Sequence, residues 1–179
     1  MRPQETTQAY DAFLAARALK LEAVVIGGAA LALLGVITRE TRDCDVMVPE
    51  LAPEILDAAR AFAAEVRTKG EVLRDDWLNN GPADVAKTLP RGWEHRLQDA
   101  FAGKALVLRT LGRADLLKTK LFALCDRGQD ISDCIALAPT ADELHQTLPW
   151  LRDQDANAMW PAHVEATLAD LGRRLGHGV

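Results

Sequence analysis

Two aspartates separated by a single residue, Asp43 and Asp45, stand in the alternating run Arg42 to Val48. Side chains of a β-strand repeat every second residue, so Cys44, Val46 and Val48 share one face while Asp43, Asp45 and Met47 share the other. Paired carboxylates on one rigid strand suit Mg²⁺, which binds one or two carboxylates and fills its remaining positions with water and phosphate oxygens. In phosphoryl or nucleotidyl transfer such a pair would hold the cation that clamps the attacking and leaving oxygens. Acids on one strand face are also what a solvated surface carries, so the pair alone leaves both readings open.

A second feature narrows the choice. Gly27 and Gly28 follow the apolar run Glu22 to Ile26 and precede the helix-forming Ala29 to Leu34, which Gly35 ends. The unit reads as strand, glycine turn and short helix. A backbone without side chains can approach a phosphate closely, with the N–H groups at the helix start aimed at the anion; the same glycines would also serve tight packing. Only one short helix separates the turn from the acidic strand, so both lie at the ends of consecutive strands and can face one cleft.

The elements that must position these residues read as follows. Tyr10, Phe13, Leu14, Ala18 and Leu21 have helical spacing, with Thr6 or Thr7 as the expected N-cap. Pro49 and Pro53 bracket a turn, and Pro53 opens a helix to about Arg67, long enough to cross over a sheet. From Thr68 to Gly103 irregular structure is expected, with a short strand at Glu71 to Leu73, a turn at Asn79-Asn80-Gly81-Pro82 and a polar segment around Trp93. Ala105 to Leu111 reads as a strand, Arg113 to about Asp126 as a strong helix and Asp130 to Leu137 as another. Thr140 and Glu143 form a capping box after Pro139. The tail is helical to about Leu175, with breaks near Asp153 to Asn157 and at Pro161. The class is α+β: a small mixed sheet flanked by helices over residues 1–138, with a helical extension over 139–179 packed on it.

On the helix from Arg113, Leu117, Leu121 and Leu124 form the core stripe, and Arg113, Lys120 and Arg127 run along its edge. That basic line either reaches a polyphosphate or snorkels over the core, and Arg127 has a further option in pairing with Asp130. Asp130 and Asp133 stand at a helix start, where acids are favoured by the helix dipole. Arg39 and Arg42 flank the acidic strand and would bind phosphate or a nucleic-acid backbone, or pair with Asp43 and Asp45. Trp77, Trp93, Trp150 and Trp160 read as core or interface anchors.

Composition excludes other classes. A net charge of −5 and a pI near 5.4 provide no global basic field for non-specific nucleic-acid binding, so such a partner would need a local patch. With 49% hydrophobic residues and only 12 glycines and 8 prolines, the chain should be folded throughout. Cys44, Cys125 and Cys134 lie in apolar surroundings without metal-ligand spacing and read as buried free thiols. His95, His145, His163 and His177 are scattered, which argues against zinc. No apolar run approaches the ~20 residues of a spanning helix, and Met1 to Thr7 does not read as a signal peptide, so a cytoplasmic protein is expected.

The order Gly27-Gly28, Ala30-Leu31, Gly35 and Arg39-x-Thr41-x-Asp43-x-Asp45 resembles the front half of the DNA-polymerase-β-like nucleotidyltransferase superfamily. More closely, it is similar to the bacterial branch that includes abortive-infection type nucleotidyltransferase toxins and a set of uncharacterised nucleotidyltransferase-like proteins. Lys120-Leu121-x-Ala123, Arg127, Asp130 and Asp133 resemble that branch's second motif, and together the matches span residues 22 to 137. The resemblance implies a nucleotidyltransferase-type sheet and Mg²⁺-dependent transfer of a nucleoside monophosphate from an NTP to a hydroxyl. The acceptor would be a tRNA end, another RNA, a protein side chain or a small molecule. It implies Asp43 and Asp45 as metal ligands, and Gly27, Gly28, Arg39, Thr41, Lys120 and Arg127 as phosphate or nucleotide contacts. Asp130 would complete the catalytic site as a further metal ligand or as the base. An antitoxin-like protein and a second copy of the chain are the partners to expect. Two departures point the other way. Ala29 follows the glycines where the superfamily often has Ser, and Ala105 to Leu111 lacks the third carboxylate that commonly sits on a later strand. Glu71, Asp75, Asp76 and Asp84 are the other candidates for it. A relative that keeps the fold as a nucleotide-binding or partner-docking module is the alternative these departures imply.

Overall fold

The computed structural model describes residues 2–41 and 43–177. The chain divides into two compact units, Met1–Gly112 and Arg113–Val179, and the seam read near Pro139 lies inside the second.

The first unit opens with α1, Pro3–Ala15. Pro3 takes the first helical position, where its missing N–H costs nothing, so the helix begins earlier than the threonines predict. Thr6 and Thr7 are consequently not caps. They are buried within the helix, and their hydroxyls donate to the carbonyls of Arg2 and Pro3. Then follow β1 (Leu21–Ile26), α2 (Gly27–Leu33), β2 (Cys44–Val48) and α3 (Pro53–Thr68). Beyond them come β3 (Leu78–Asn79), α4 (Val85–Thr88), a 3₁₀ turn at Trp93–Arg96, β4 (Gln98–Ala102) and β5 (Leu106–Thr110). The expected strand at Glu71 to Leu73 is irregular. Its Val72 is 86% exposed, and the hydrogen bonds along β2 go to Leu78 and Asn79 instead.

The five strands form one mixed sheet in the order β3-β2-β1-β5-β4. β1 runs antiparallel to β2 and parallel to β5, while β2 and β3 are parallel and are joined through the crossover helix α3. Ala23, Val25, Cys44, Val46, Leu106 and Leu108 belong to the same buried core as α1 and α3. Its rings pack closely, with Tyr10 and Trp77 edge to face at 5.0 Å and Phe13 and Phe62 at 5.3 Å. Trp77 also donates its indole N–H to the carbonyl of Ala59, which ties the approach to β3 onto α3.

The second unit contains α5 (Arg113–Arg127), α6 (Ile131–Leu137), α7 (Ala141–Arg152) and α8 (Trp160–Arg174). The capping box forms as read: Thr140 Oγ1 accepts from the N–H of Glu143, whose carboxylate accepts from the N–H of Thr140. Arg113 binds that same carboxylate and also donates to the carbonyl of Leu137, so it joins α5 to the end of α6 and the start of α7. Pro161 does not break the tail. It occupies the first turn of α8, where proline is tolerated. No helix among the described residues is long and apolar enough to cross a membrane.

Candidate functional site at the glycine turn

The register between the first two strands brings turn and acid together. Ile26, the last residue of β1, is paired with Asp45, and Val25 with Val46. Since Val46 faces the helix-covered core, Asp45 points to the opposite face, directly beside the turn that begins at Gly27. Gly27 has φ +76°, a left-handed conformation that glycine adopts without penalty, and a methyl group there would stand 2.7 Å from Asp45 Oδ2. Glycine is therefore required twice at this position, by its backbone and by the carboxylate against it.

Gly28 meets a different part of the chain. A methyl group on it would lie 3.0 Å from Thr41 Cγ2 and 3.5 Å from a terminal guanidinium nitrogen of Arg39. The loop between α2 and β2 thus folds back so that Arg39 and Thr41 border the glycine turn that Asp45 flanks. Arg42 lies outside the described residues.

Asp43 is placed differently from Asp45. It precedes the first residue of β2, is exposed, and lines a cleft of about 450 Å³ with Thr41, Cys44, Arg74 and Trp77 among its neighbours. Thr41 belongs both to this cleft and to the surroundings of Gly28. Burial, followed by the charges of Asp45 and Asp43, pushes the Cys44 thiol up to about 12, so it stays protonated and is no nucleophile. Cys125 and Cys134 are likewise buried and free, raised by burial to about 11 and about 12.

The residue that sequence reasoning missed is Asn79. It ends β3 in register with Asp45, and its Nδ2 donates to Asp45 Oδ1 at 3.2 Å. Its Oδ1 accepts from the N–H of Gly81 at 2.7 Å. The Asn-Asn-Gly-Pro run reads as turn punctuation, and a two-residue strand leaves no periodicity to correct that. Asn80 secures the same corner by donating to the carbonyls of Val46 and Pro49 and accepting from the N–H of Leu51.

The acids considered as a third carboxylate are elsewhere. Asp75, Asp76 and Asp84 are in exposed ion pairs with Arg67, Arg74 and Lys87, and Glu71 is exposed in the loop before β3. Among the described residues no group of three or more His, Cys, Asp or Glu side chains is arranged to hold a metal ion. Two carboxylates still fit Mg²⁺, because this ion keeps several waters and takes substrate phosphates as ligands instead of requiring an all-protein cage.

In the helical unit the second motif forms a cluster of its own. Lys120 is buried, with Nζ 2.8 Å from Asp133 Oδ2 and 3.4 Å from Asp130 Oδ2. Asp130 lies at φ 69° just before α6 and keeps a quarter of its side chain exposed, whereas Asp133 is buried. The partner of Asp130 is thus Lys120, and Arg127 is exposed near the end of α5. The basic line of the sequence dissolves into three environments: Arg113 bound to Glu143, Lys120 buried among acids, and Arg127 in solvent.

A mixed sheet with a glycine turn after its first strand and an acid beside that turn on the next is the order of features that the nucleotidyltransferase resemblance implies. The comparison with known families agrees: the profile of the family described as "Nucleotidyltransferase of unknown function (DUF6036)" matches residues 5–142. The chain belongs to that family. No curated protein and no solved structure matches it.

Proposed function

We propose that this protein is a Mg²⁺-dependent nucleotidyltransferase that moves a nucleoside monophosphate from an NTP to a hydroxyl of an acceptor. The observation that carries the reading is Asp45 seated against the side-chain-free Gly27, with Arg39 and Thr41 bordering Gly28. In this reading Asp45 and Asp43 hold the cation, which supplies positive charge to the triphosphate as negative charge develops on it. Gly27 and Gly28 leave room for the phosphates, and Arg39 offers a planar guanidinium suited to paired phosphate oxygens. The acceptor hydroxyl gives up its proton to solvent as its oxygen bonds to the α-phosphorus, the bond to the bridging oxygen breaks, and pyrophosphate leaves.

A second reading, nucleotide binding without turnover, is favoured by the amide that stands beside Asp45 where a further carboxylate would strengthen cation binding. One experiment separates the two. Purified protein is incubated with α-labelled NTPs, Mg²⁺ and fractions of cell extract containing RNA, protein or small molecules. Transfer of label that is lost in Asp45→Asn, with the fold of that variant intact by circular dichroism, supports the enzyme. Calorimetric NTP binding without any labelled product supports the binding module, and label transfer undiminished in Asp45→Asn rejects the assigned site.

A further inference from the structure

We propose that Asn79 is the positioning residue of this centre: it fixes the carboxylate of Asp45 and, being an amide, makes divalent-cation binding depend on the triphosphate. The inference rests on the nucleotidyltransferase reading above, but part of its test needs no nucleotide.

Three hydrogen bonds determine which way the amide faces. Nδ2 donates to Asp45 Oδ1 at 3.2 Å and makes a longer contact of 3.5 Å with the carbonyl of Asp76, while Oδ1 accepts from the N–H of Gly81. Rotating the amide by half a turn would set its oxygen against a carboxylate and a carbonyl, and its NH₂ against an N–H; all three contacts would then oppose like groups. The orientation shown is the one that satisfies every atom. Gly81 allows it, because a methyl group there would come within 2.8 Å of Asn79 Oδ1.

Two consequences follow. Asp45 accepts from Asn79 on β3 through Oδ1, and its Oδ2 lies beside the bare backbone of Gly27 after β1, in the space a side chain there would fill. A carboxylate so confined is aimed before any ligand arrives. Asn79 itself offers no cation a ligand toward the acid, since the atom it turns to Asp45 is a nitrogen bearing hydrogens and its oxygen is engaged by Gly81. The strand position in register with Asp45 therefore contributes orientation and no negative charge. With the Asp43 and Asp45 pair as its carboxylates, the cation's remaining positions fall to water and phosphate oxygens, and the charge of a triphosphate strengthens a hold that two carboxylates alone leave weak.

The test uses the full chain with Mn²⁺ as probe, its free concentration read by electron paramagnetic resonance, for wild type, Asn79→Asp and Asn79→Ala. In the absence of nucleotide, Asn79→Asp places a third carboxylate beside Asp45 and is expected to bind Mn²⁺ at least about tenfold more tightly than wild type. Its melting temperature should fall without metal, as two carboxylates come together, and recover when Mn²⁺ is added. With ATP present, Asn79→Ala is expected to bind Mn²⁺·ATP about tenfold more weakly than wild type, since it removes the amide's hydrogen bond to Asp45 Oδ1. Asn79→Asp retains the oxygen that accepts from Gly81, so it remains informative if Asn79→Ala fails to fold. Equal Mn²⁺ affinity of Asn79→Asp and wild type without nucleotide overturns the placement of Asn79. Unchanged Mn²⁺·ATP affinity in a folded Asn79→Ala overturns its positioning role. Wild type that binds no Mn²⁺·ATP while Asn79→Asp gains Mn²⁺ refutes the nucleotidyltransferase reading and the triphosphate dependence, and leaves the geometry of Asn79 upheld.

Discussion

Replacing Lys120 by methionine removes one charge from a buried cluster and nearly preserves side-chain volume, so its cost measures what the ammonium does in the helical unit. The side chains of Lys120 and Asp133 are 6% and 1% exposed, and Nζ lies 2.8 Å from Asp133 Oδ2. At an effective dielectric constant of about 20, charges at that separation attract by about 6 kcal/mol, most of which repays the desolvation of the two groups. Removing one partner forfeits the attraction while Asp133 stays buried; Asp130, a quarter exposed, recovers water and matters less. Lys120→Met is therefore expected to destabilise the helical unit by ~3–5 kcal/mol. Lys120→Met combined with Asp133→Leu removes both buried charges and should recover most of that loss. Urea unfolding followed by circular dichroism gives the overall change, and hydrogen exchange in peptides of α5 and α6 assigns it to this unit. If Lys120→Met stays within about 1 kcal/mol of wild type and α5 and α6 keep their protection, the cluster does not hold the unit together.

Three further outcomes are expected. Gly27→Ala forces a side chain into a left-handed backbone at a cost of ~1–2 kcal/mol. It also drives a methyl group against Asp45 Oδ2, so NTP binding by calorimetry should be lost while the chain remains folded. Asp45→Asn should abolish label transfer from NTP without loss of helical signal, as set out above. The hydrogen bond from Arg113 holds the Glu143 carboxyl below the ordinary glutamate range, against a smaller opposing effect of burial, with the capping bond to Thr140 adding to it. A carboxyl whose folded value is depressed contributes stability that is complete above its unfolded value and is lost as pH falls through the folded one. Thermal stability should therefore decline as pH drops below the usual glutamate range, and Glu143→Gln should flatten that part of the profile.

What could be read from the sequence was local. The alternation around Asp45 made β2 visible, Gly27 and Gly28 marked the turn, Thr140 and Glu143 announced a helix start, and Pro53 opened the crossover helix; each signal resides in neighbouring residues. β4 escaped because Gln98–Ala102 has no β-branched residue and only one aromatic, and it is held by pairing with β5 more than by its own preference. β3 escaped because two residues show no period at all. Arg39 and Thr41 could be named from the motif, but their place at Gly28 depends on how a loop returns. The partnership of Lys120 with Asp133 joins α5 to α6, and no spacing rule within a single helix contains it.

The same distinction separates the two acids that began the argument. Asp45 lies inside β2, paired with Ile26 on one side and Asn79 on the other, so its backbone is fixed by the register of three strands and its carboxylate is oriented by the amide of Asn79. Asp43 precedes the strand, is exposed and faces the cleft with Thr41, where no ladder pairing constrains it. Strand periodicity places both on one face only if both belong to the strand, and the ladder takes in Asp45 alone. Within the proposed reaction the two roles would therefore divide: Asp45 would hold the cation from a fixed place at the glycine turn, and Asp43 would meet it from the cleft side.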